Sequence, residues 1–171
     1  MKTKKNLLTA FGLCLLVICG AASFAQRQNF MPASAKPEVK VQLVGMIERN
    51  KHNIAVEEAG TVNPGEIVKW TINSANQGSA PARDYKTIGL IPTGTVFVAG
   101  SATTEKSATI TYSIDGGKSF SSQPTIEQRQ ADGTIKRVAA PVAMYTQIRY
   151  EWTEVLNAGE SLSASYQVRV K

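Results

Sequence analysis

Apolar residues recur at every second position through most of the chain after residue 38. A period of two fits β-strands with one buried and one wet face, the pattern of antiparallel sheet. Val39, Val41 and Leu43 fall on one face, with Lys40 and Gln42 on the other. Val68, Trp70 and Ile72 alternate with Lys69 and Thr71, and Ile110, Tyr112 and Ile114 alternate with Thr and Ser. Ile148, Tyr150 and Trp152 alternate with Gln147, Arg149 and Glu151. Leu162, Ala164, Tyr166, Val168 and Val170 alternate with Ser, Gln and Arg. Turn sequences separate these runs: Asn63-Pro64-Gly65, Asn76-Gln77-Gly78, Pro92-Thr93-Gly94, Asp115-Gly116-Gly117 and Asn157-Ala158-Gly159. Glycine supplies the positive φ that such turns need. No stretch after Ala25 carries a helical stripe with caps. The spacing predicts an all-β fold, an immunoglobulin-like antiparallel β-sandwich of about seven to eight strands. Residues 121–146 hold Pro124, Gly133 and Pro141 and would make an uncommonly long loop. A hairpin accounts for them better, with Asp132-Gly133 at its tip between residues 125–129 and 134–138.

The start of the chain predicts export. Lys2, Lys4 and Lys5 precede an apolar run over residues 7–22, and small residues Ser23 and Ala25 stand three and one positions before Gln26. This is the layout of a secretory signal peptide cut after Ala25. The run is short for a membrane anchor, which needs about 20 apolar residues. Ile18 before Cys19 and Leu13 before Cys14 fit a lipoprotein site poorly. The expected organisation is a signal peptide over 1–25, a flexible arm or linker over 26–38 with Pro32 and Pro37 and no period, and a sandwich domain over 39–171.

Removal of the leader changes the chemistry. Three of the 19 basic residues lie in it and none of the 13 acidic ones does, so the formal charge falls from +6 to +3. No basic block remains to suggest nucleic acid or an anionic membrane. Both cysteines, Cys14 and Cys19, go with the leader. Disulfides, thiol catalysis and cysteine-ligated metals are thereby excluded from the remainder. About 146 residues remain, enough for one domain with a substantial core.

The stretch Val62-Asn63-Pro64-Gly65-Glu66-Ile67-Val68-Lys69-Trp70-Thr71-Ile72, with Asn76-Gln77-Gly78-Ser79-Ala80-Pro81-Ala82 after it, resembles the conserved repeat domain called domain of unknown function eleven. Leu90-Ile91-Pro92-Thr93-Gly94-Thr95-Val96-Phe97-Val98 is similar to that family's Leu-Pro-x-Gly element. Ile91 is extra there, and Gly89 stands where the family usually has an acidic residue. Residues 152–170, with Asn157-Ala158-Gly159-Glu160, resemble its last hairpin. The resemblance covers roughly residues 39–171. It implies an immunoglobulin-like module of bacterial and archaeal surface and secreted proteins, here in a single copy, and brings no catalytic residues with it.

The residues that could carry chemistry are few. Trp70 and Trp152 stand at inward positions and read as core, since aromatics dominate burial. A sugar-stacking platform would need outward rings. His52 is the single histidine, in a polar turn beside Lys51 and Asn53, and zinc needs several ligands. Glu57, Glu58 and Asp115 lack the dense acidic loop that calcium favours. No Gly-x-Ser-x-Gly element is present, and alternation puts Glu151 of the Glu151–Glu154 pair on the wet face, away from any cleft. The reading is a protein that is not an enzyme and needs no cofactor or metal. It is an exported structural or adhesive interaction module of the bacterial cell envelope, found in the periplasm, at the cell surface or outside the cell. Its partner would be an envelope protein or polysaccharide, with no nucleic acid and no transmembrane span after cleavage. The other reading is a secreted or periplasmic carbohydrate- or peptide-binding module. Candidate interaction residues are Tyr85, Tyr145 and, in the loop 128–137, Gln128, Arg129, Lys136 and Arg137.

Overall fold

The computed structural model describes residues 35–171. The expected signal peptide, 1–25, and residues 26–34 of the expected arm lie outside the described residues. The described part forms β1 (Val39–Arg49), β2 (His52–Ala55), β3 (Ile67–Asn76), β4 (Lys86–Leu90), β5 (Thr95–Phe97) and β6 (Thr103–Thr104). It continues through β7 (Ala108–Ser113), β8 (Thr125–Arg129), β9 (Ile135–Ala139), β10 (Gln147–Trp152) and β11 (Ser161–Val170). One 3-10 turn, Val142–Met144, precedes β10. The larger sheet runs β2-β1-β3-β11-β5, with β6 also on β11, and the smaller runs β4-β10-β7. All pairings are antiparallel. Nine strands therefore make a two-layer β-sandwich, and β8 and β9 pair only with each other. The count is close to the expected seven to eight, and β2 and β6 are short strands that carry no period of their own. No helix among the described residues is long and apolar enough to cross a membrane.

The core follows the alternation. Val68 and Ile72 from β3, Ile148, Tyr150 and Trp152 from β10, and Leu162, Ala164, Tyr166 and Val168 from β11 are all buried. Full burial stabilises each large aliphatic side chain by about 1.5–3 kcal/mol relative to exposure. Two tyrosines cross-tie the layers. Tyr150 on β10 donates its hydroxyl to Ser165 O on β11 at 2.9 Å, and Tyr166 on β11 donates to Leu90 O on β4 at 2.6 Å. These bonds let the phenol oxygens stay in the interior, where an unpaired polar group is costly. Burial pushes both phenols far above their ordinary range.

β1 departs from expectation. Val41 and Leu43 oppose Ser74 and Ile72, so they do lie on the core-facing side. Yet they are 55% and 52% exposed. Alternation chose the face correctly, but the second layer has only three strands and does not extend over this part of β1.

The turns are held by side chains. Asn50 (φ 52°) and Lys51 (φ 65°) make a two-residue turn with both residues left-handed, which starts β2 at His52. Arg49 grips Glu66 with both ends of its guanidinium, at 2.7 and 2.9 Å, and also donates to Ala59 O and Thr61 O. Glu66 in turn accepts the Asn63 N–H at 2.6 Å. One ion pair thus fastens the connection between β2 and β3. The hydrogen bond from Arg49 and that from Asn63 hold the Glu66 carboxyl down at about 2. A lowered folded-state pKa gives stability that is fully present above the unfolded value near 4.5 and is lost as pH falls through about 2. The expected result is a stability decline over that window that is shallower in Glu66→Gln, measured by urea unfolding at stepped pH. Equal slopes in both proteins would remove Glu66 from the account.

Near the start of the domain, Asn76 is buried and makes four hydrogen bonds. Its Oδ1 accepts from Glu38 N and Gly78 N, both at 3.1 Å, and its Nδ2 donates to Ala80 O at 2.8 Å and Leu156 O at 3.0 Å. Lys36 O accepts from Ser79 N at 3.0 Å, and Glu38 O from Gln77 N at 2.7 Å. Gly78 has no room for a side chain, because an added Cβ would overlap Lys36 O and Glu38 N. The last residues of the expected flexible arm are therefore fastened to the turn after β3.

Candidate interaction site

The hairpin expected within residues 121–146 is present. β8 and β9 pair from Thr125↔Ala139 to Arg129↔Ile135. The tip closes through Gln130 N–H to Thr134 O at 2.8 Å and Gly133 N–H to Gln130 O at 3.0 Å, with Gly133 at φ 85°. Asp132 Oδ1 accepts from the Thr134 N–H at 2.9 Å and its hydroxyl at 2.6 Å, which holds its carboxyl below the usual range. At the base, Pro124 and Ala140 are buried and joined by Ala140 N–H to Pro124 O at 2.8 Å. Beyond that base the hairpin stands as a finger, with most of its side chains exposed and no third strand among the described residues.

Four of the six candidate residues meet on this finger. Gln128 pairs with Lys136, on the side that also carries half-buried Ile126 and Val138. Arg129 and Arg137 lie on the other side, with Glu127 and exposed Ile135. Each face carries a net charge of +1, from Lys136 on one and from Arg129 and Arg137 against Glu127 on the other, since strand alternation separates neighbours in sequence. Tyr85 and Tyr145 are not brought to the finger. Tyr85 is half-buried, stacked 5.5 Å from Trp152 and bonded to Ser74 Oγ at 2.9 Å. Tyr145 packs 4.9 Å from Tyr112 and 5.9 Å from Phe97. Both complete the core rather than the surface.

Six of the 13 carboxylates, those of Glu66, Asp115, Asp132, Glu151, Glu154 and Glu160, are engaged in turns and ion pairs. Asp115 accepts from Ser113 and Ser119, which hold it well below the usual carboxylate range and stiffen the turn after β7. Glu160 accepts from Asn157 N at 3.1 Å and closes the turn before β11. Glu151 pairs with Lys86 at 3.0 Å and Arg149 at 2.6 Å, while Glu154 reaches Lys106 at 3.7 Å. The two carboxylates considered together from sequence therefore have different partners. His52 is exposed, with Nδ1 2.8 Å from Asn50 O. Among the described residues no three His, Cys, Asp or Glu side chains converge on a point that could hold a metal ion.

A feature missed from sequence is a polar trough on the outer face of the larger sheet. One hollow of about 550 Å³ is lined by Met46, Glu48, Glu66, Lys69, Thr71 and Gln167, among others. A second, of about 230 Å³, shares Lys69 and Thr71 and reaches Thr103, Ser163 and Ser165. Alternation had marked Lys69 and Thr71 only as wet. Residues of β6 and of the turn before β3 join the lining, and no local pattern brings those segments together. The trough has no aromatic lining, and the inward Trp70 and Trp152 supply none.

Compared with family models, curated proteins and solved structures, the chain matches none.

Proposed function

We propose that the chain is an exported, non-catalytic interaction module of the bacterial cell envelope, working through its β8–β9 finger. The single observation that carries this reading is the finger itself. It is a two-stranded ribbon fixed at a buried base, with edges unpaired among the described residues and one face that sets Arg129 and Arg137 beside Glu127. Loops and ribbons presented by a rigid sandwich commonly hold binding residues, and unpaired strand edges invite pairing. The leader-like residues 1–25 support export, and the likeness of residues 62–82 to domain of unknown function eleven supports an envelope setting. The use of Asp115, Glu66, Glu151 and Glu160 in turns and ion pairs supports a non-catalytic role.

The test is retention of envelope components by the chain lacking residues 1–25. It is compared with a variant in which an Asn-Gly turn joins Thr125 directly to Ala139. A retained envelope protein is expected to fall at least tenfold with the shortened finger, and to weaken in the Arg129→Glu, Arg137→Glu pair. Equal retention by both forms would remove the finger from the reading, and no retention from any envelope fraction would remove the envelope role. The second reading, a carbohydrate-binding module, is favoured only by the trough. Recovery of glycan that is lost in Lys69→Ala, Thr71→Ala would establish it instead.

A further inference from the structure

The edge of the sandwich away from the finger is incomplete. Among the described residues β4 is the outermost strand of the smaller sheet, paired only with β10. Trp152 N–H donates to Tyr85 O at 3.1 Å and Ile91 N–H to Thr146 O at 2.9 Å. Bonded residues alternate along an antiparallel ladder. Thr87 and Gly89 therefore also face β10, while Lys86, Ile88 and Leu90 turn their backbone groups outward. Leu90 O is capped by the Tyr166 hydroxyl. The other outward groups of these three residues have no strand partner among the described residues. Their side chains include two exposed aliphatics, Ile88 at 48% and Leu90 at 61%.

Beside this edge lies the uncovered part of β1. At Gly45 the core-facing side is filled, because an added Cβ would stand 2.6 Å from the Trp70 ring and 2.7 Å from Val56. At Val41 and Leu43 nothing comparable covers it among the described residues. β2 pairs with Met46–Arg49 only, so among the described residues β1 is also the outermost strand of its sheet at Val41 and Leu43. The Tyr85–Ser74 bond sets the chain entering β4 above β3. One strand spacing further out, about 4.8 Å, is a position above β1. The smaller layer is thus one strand too narrow to cover the larger one.

We infer that this ledge accepts one extended polypeptide strand from a partner protein. The strand pairs with the outward backbone groups of β4 and seats alternate apolar side chains on Val41 and Leu43. Its width selects the occupant. Two copies joined edge to edge through β4 about a two-fold axis would each carry β1 beneath the other's β4, into space already filled by β3, so that dimer is blocked. A partner's whole sandwich with a second layer of equal reach meets the same obstacle, whereas a lone strand does not. The one charge within β4, Lys86, is held by Glu151 at 3.0 Å, a carboxylate it shares with Arg149. This surface is separate from the finger, and its test does not depend on the envelope reading.

The probe is a ten-residue peptide with the sequence of residues 161–170, which alternates apolar and polar side chains. It is titrated into isotope-labelled chain lacking residues 1–25. The expected result is saturable shifts, at sub-millimolar peptide, of the Lys86, Ile88 and Leu90 amides and the Val41 and Leu43 methyls, with amide exchange at Ile88 and Leu90 slowed at least tenfold. Ile88→Pro removes an outward donor without breaking a bond to β10, and Leu43→Ser alters a side chain already half in water. Each is expected to weaken binding at least tenfold while the thermal midpoint stays within a few degrees of the parent. No shifts at these positions by millimolar peptide, shifts centred on the finger, or unchanged affinity in both variants would each overturn the inference.

Discussion

Asn76→Leu is expected to destabilise the sandwich by about 3 kcal/mol, because a buried donor or acceptor left unpaired costs about 1–3 kcal/mol. Four hydrogen bonds depend on this side chain. Leu156 O also accepts from Ala82 N, and the Glu38 and Gly78 amides lie near enough to the surface to take water, so the four losses do not sum in full. Leucine keeps the heavy-atom count and leaves no cavity, so the loss comes from the missing hydrogen bonds and from the greater bulk of its two methyl groups. Asn76→Asp separates the two halves of the hub. It still accepts from Glu38 and Gly78 but sets a second oxygen against the Ala80 and Leu156 carbonyls. Urea unfolding of the three proteins measures the effect, and amide exchange at Ala82 and Leu156 locates it. A loss below about 1 kcal/mol for Asn76→Leu would mean that water replaces the hub at little cost.

Gly89→Val is expected to cost about 3 kcal/mol or more, at the upper end of the penalty for overfilling a packed core. An added Cβ at Gly89 would run into the Tyr166 ring and stand 3.0 Å from Ile148. Tyr166 cannot swing aside, since it is buried and its hydroxyl is held by Leu90 O. The effect is steric, because Gly89 is not among the glycines with positive φ. Gly89→Ala should show a smaller loss of the same kind. Tyr166→Leu should recover part of it, so that the double variant is less destabilised than the two single losses added together. Strict additivity in thermal or urea unfolding would show that Gly89 and Tyr166 do not share the space.

The same position shows where reading along the chain stops. Gly89 stood out only as a residue where the resembling family has an acidic one, and nothing nearby in sequence demanded a glycine. The demand comes from Tyr166, 77 positions later and in the opposite layer. Tyr85 and Tyr145 illustrate a related limit. Each lies outside a clean alternating run, so a surface role was open, and only the aromatic neighbours supplied by distant strands assign them to the core.

What the sequence by itself determined is the all-β class, the core faces of β3, β10 and β11, and the β8–β9 hairpin with Asp132-Gly133 at its tip. These are local matters. A period of two states which side chains share a face, and a glycine or aspartate states where the chain can reverse. What only the tertiary structure decided is which faces are covered and which edges are left open. Val41 and Leu43 have the same alternation as Ile148 and Tyr150 and end in water, because coverage depends on how many strands the opposing layer holds. The polar trough, the free edge of β4 and the Asn76 hub depend likewise on strands far apart in the chain, whose meeting is a property of the packed layers and not of any local stretch.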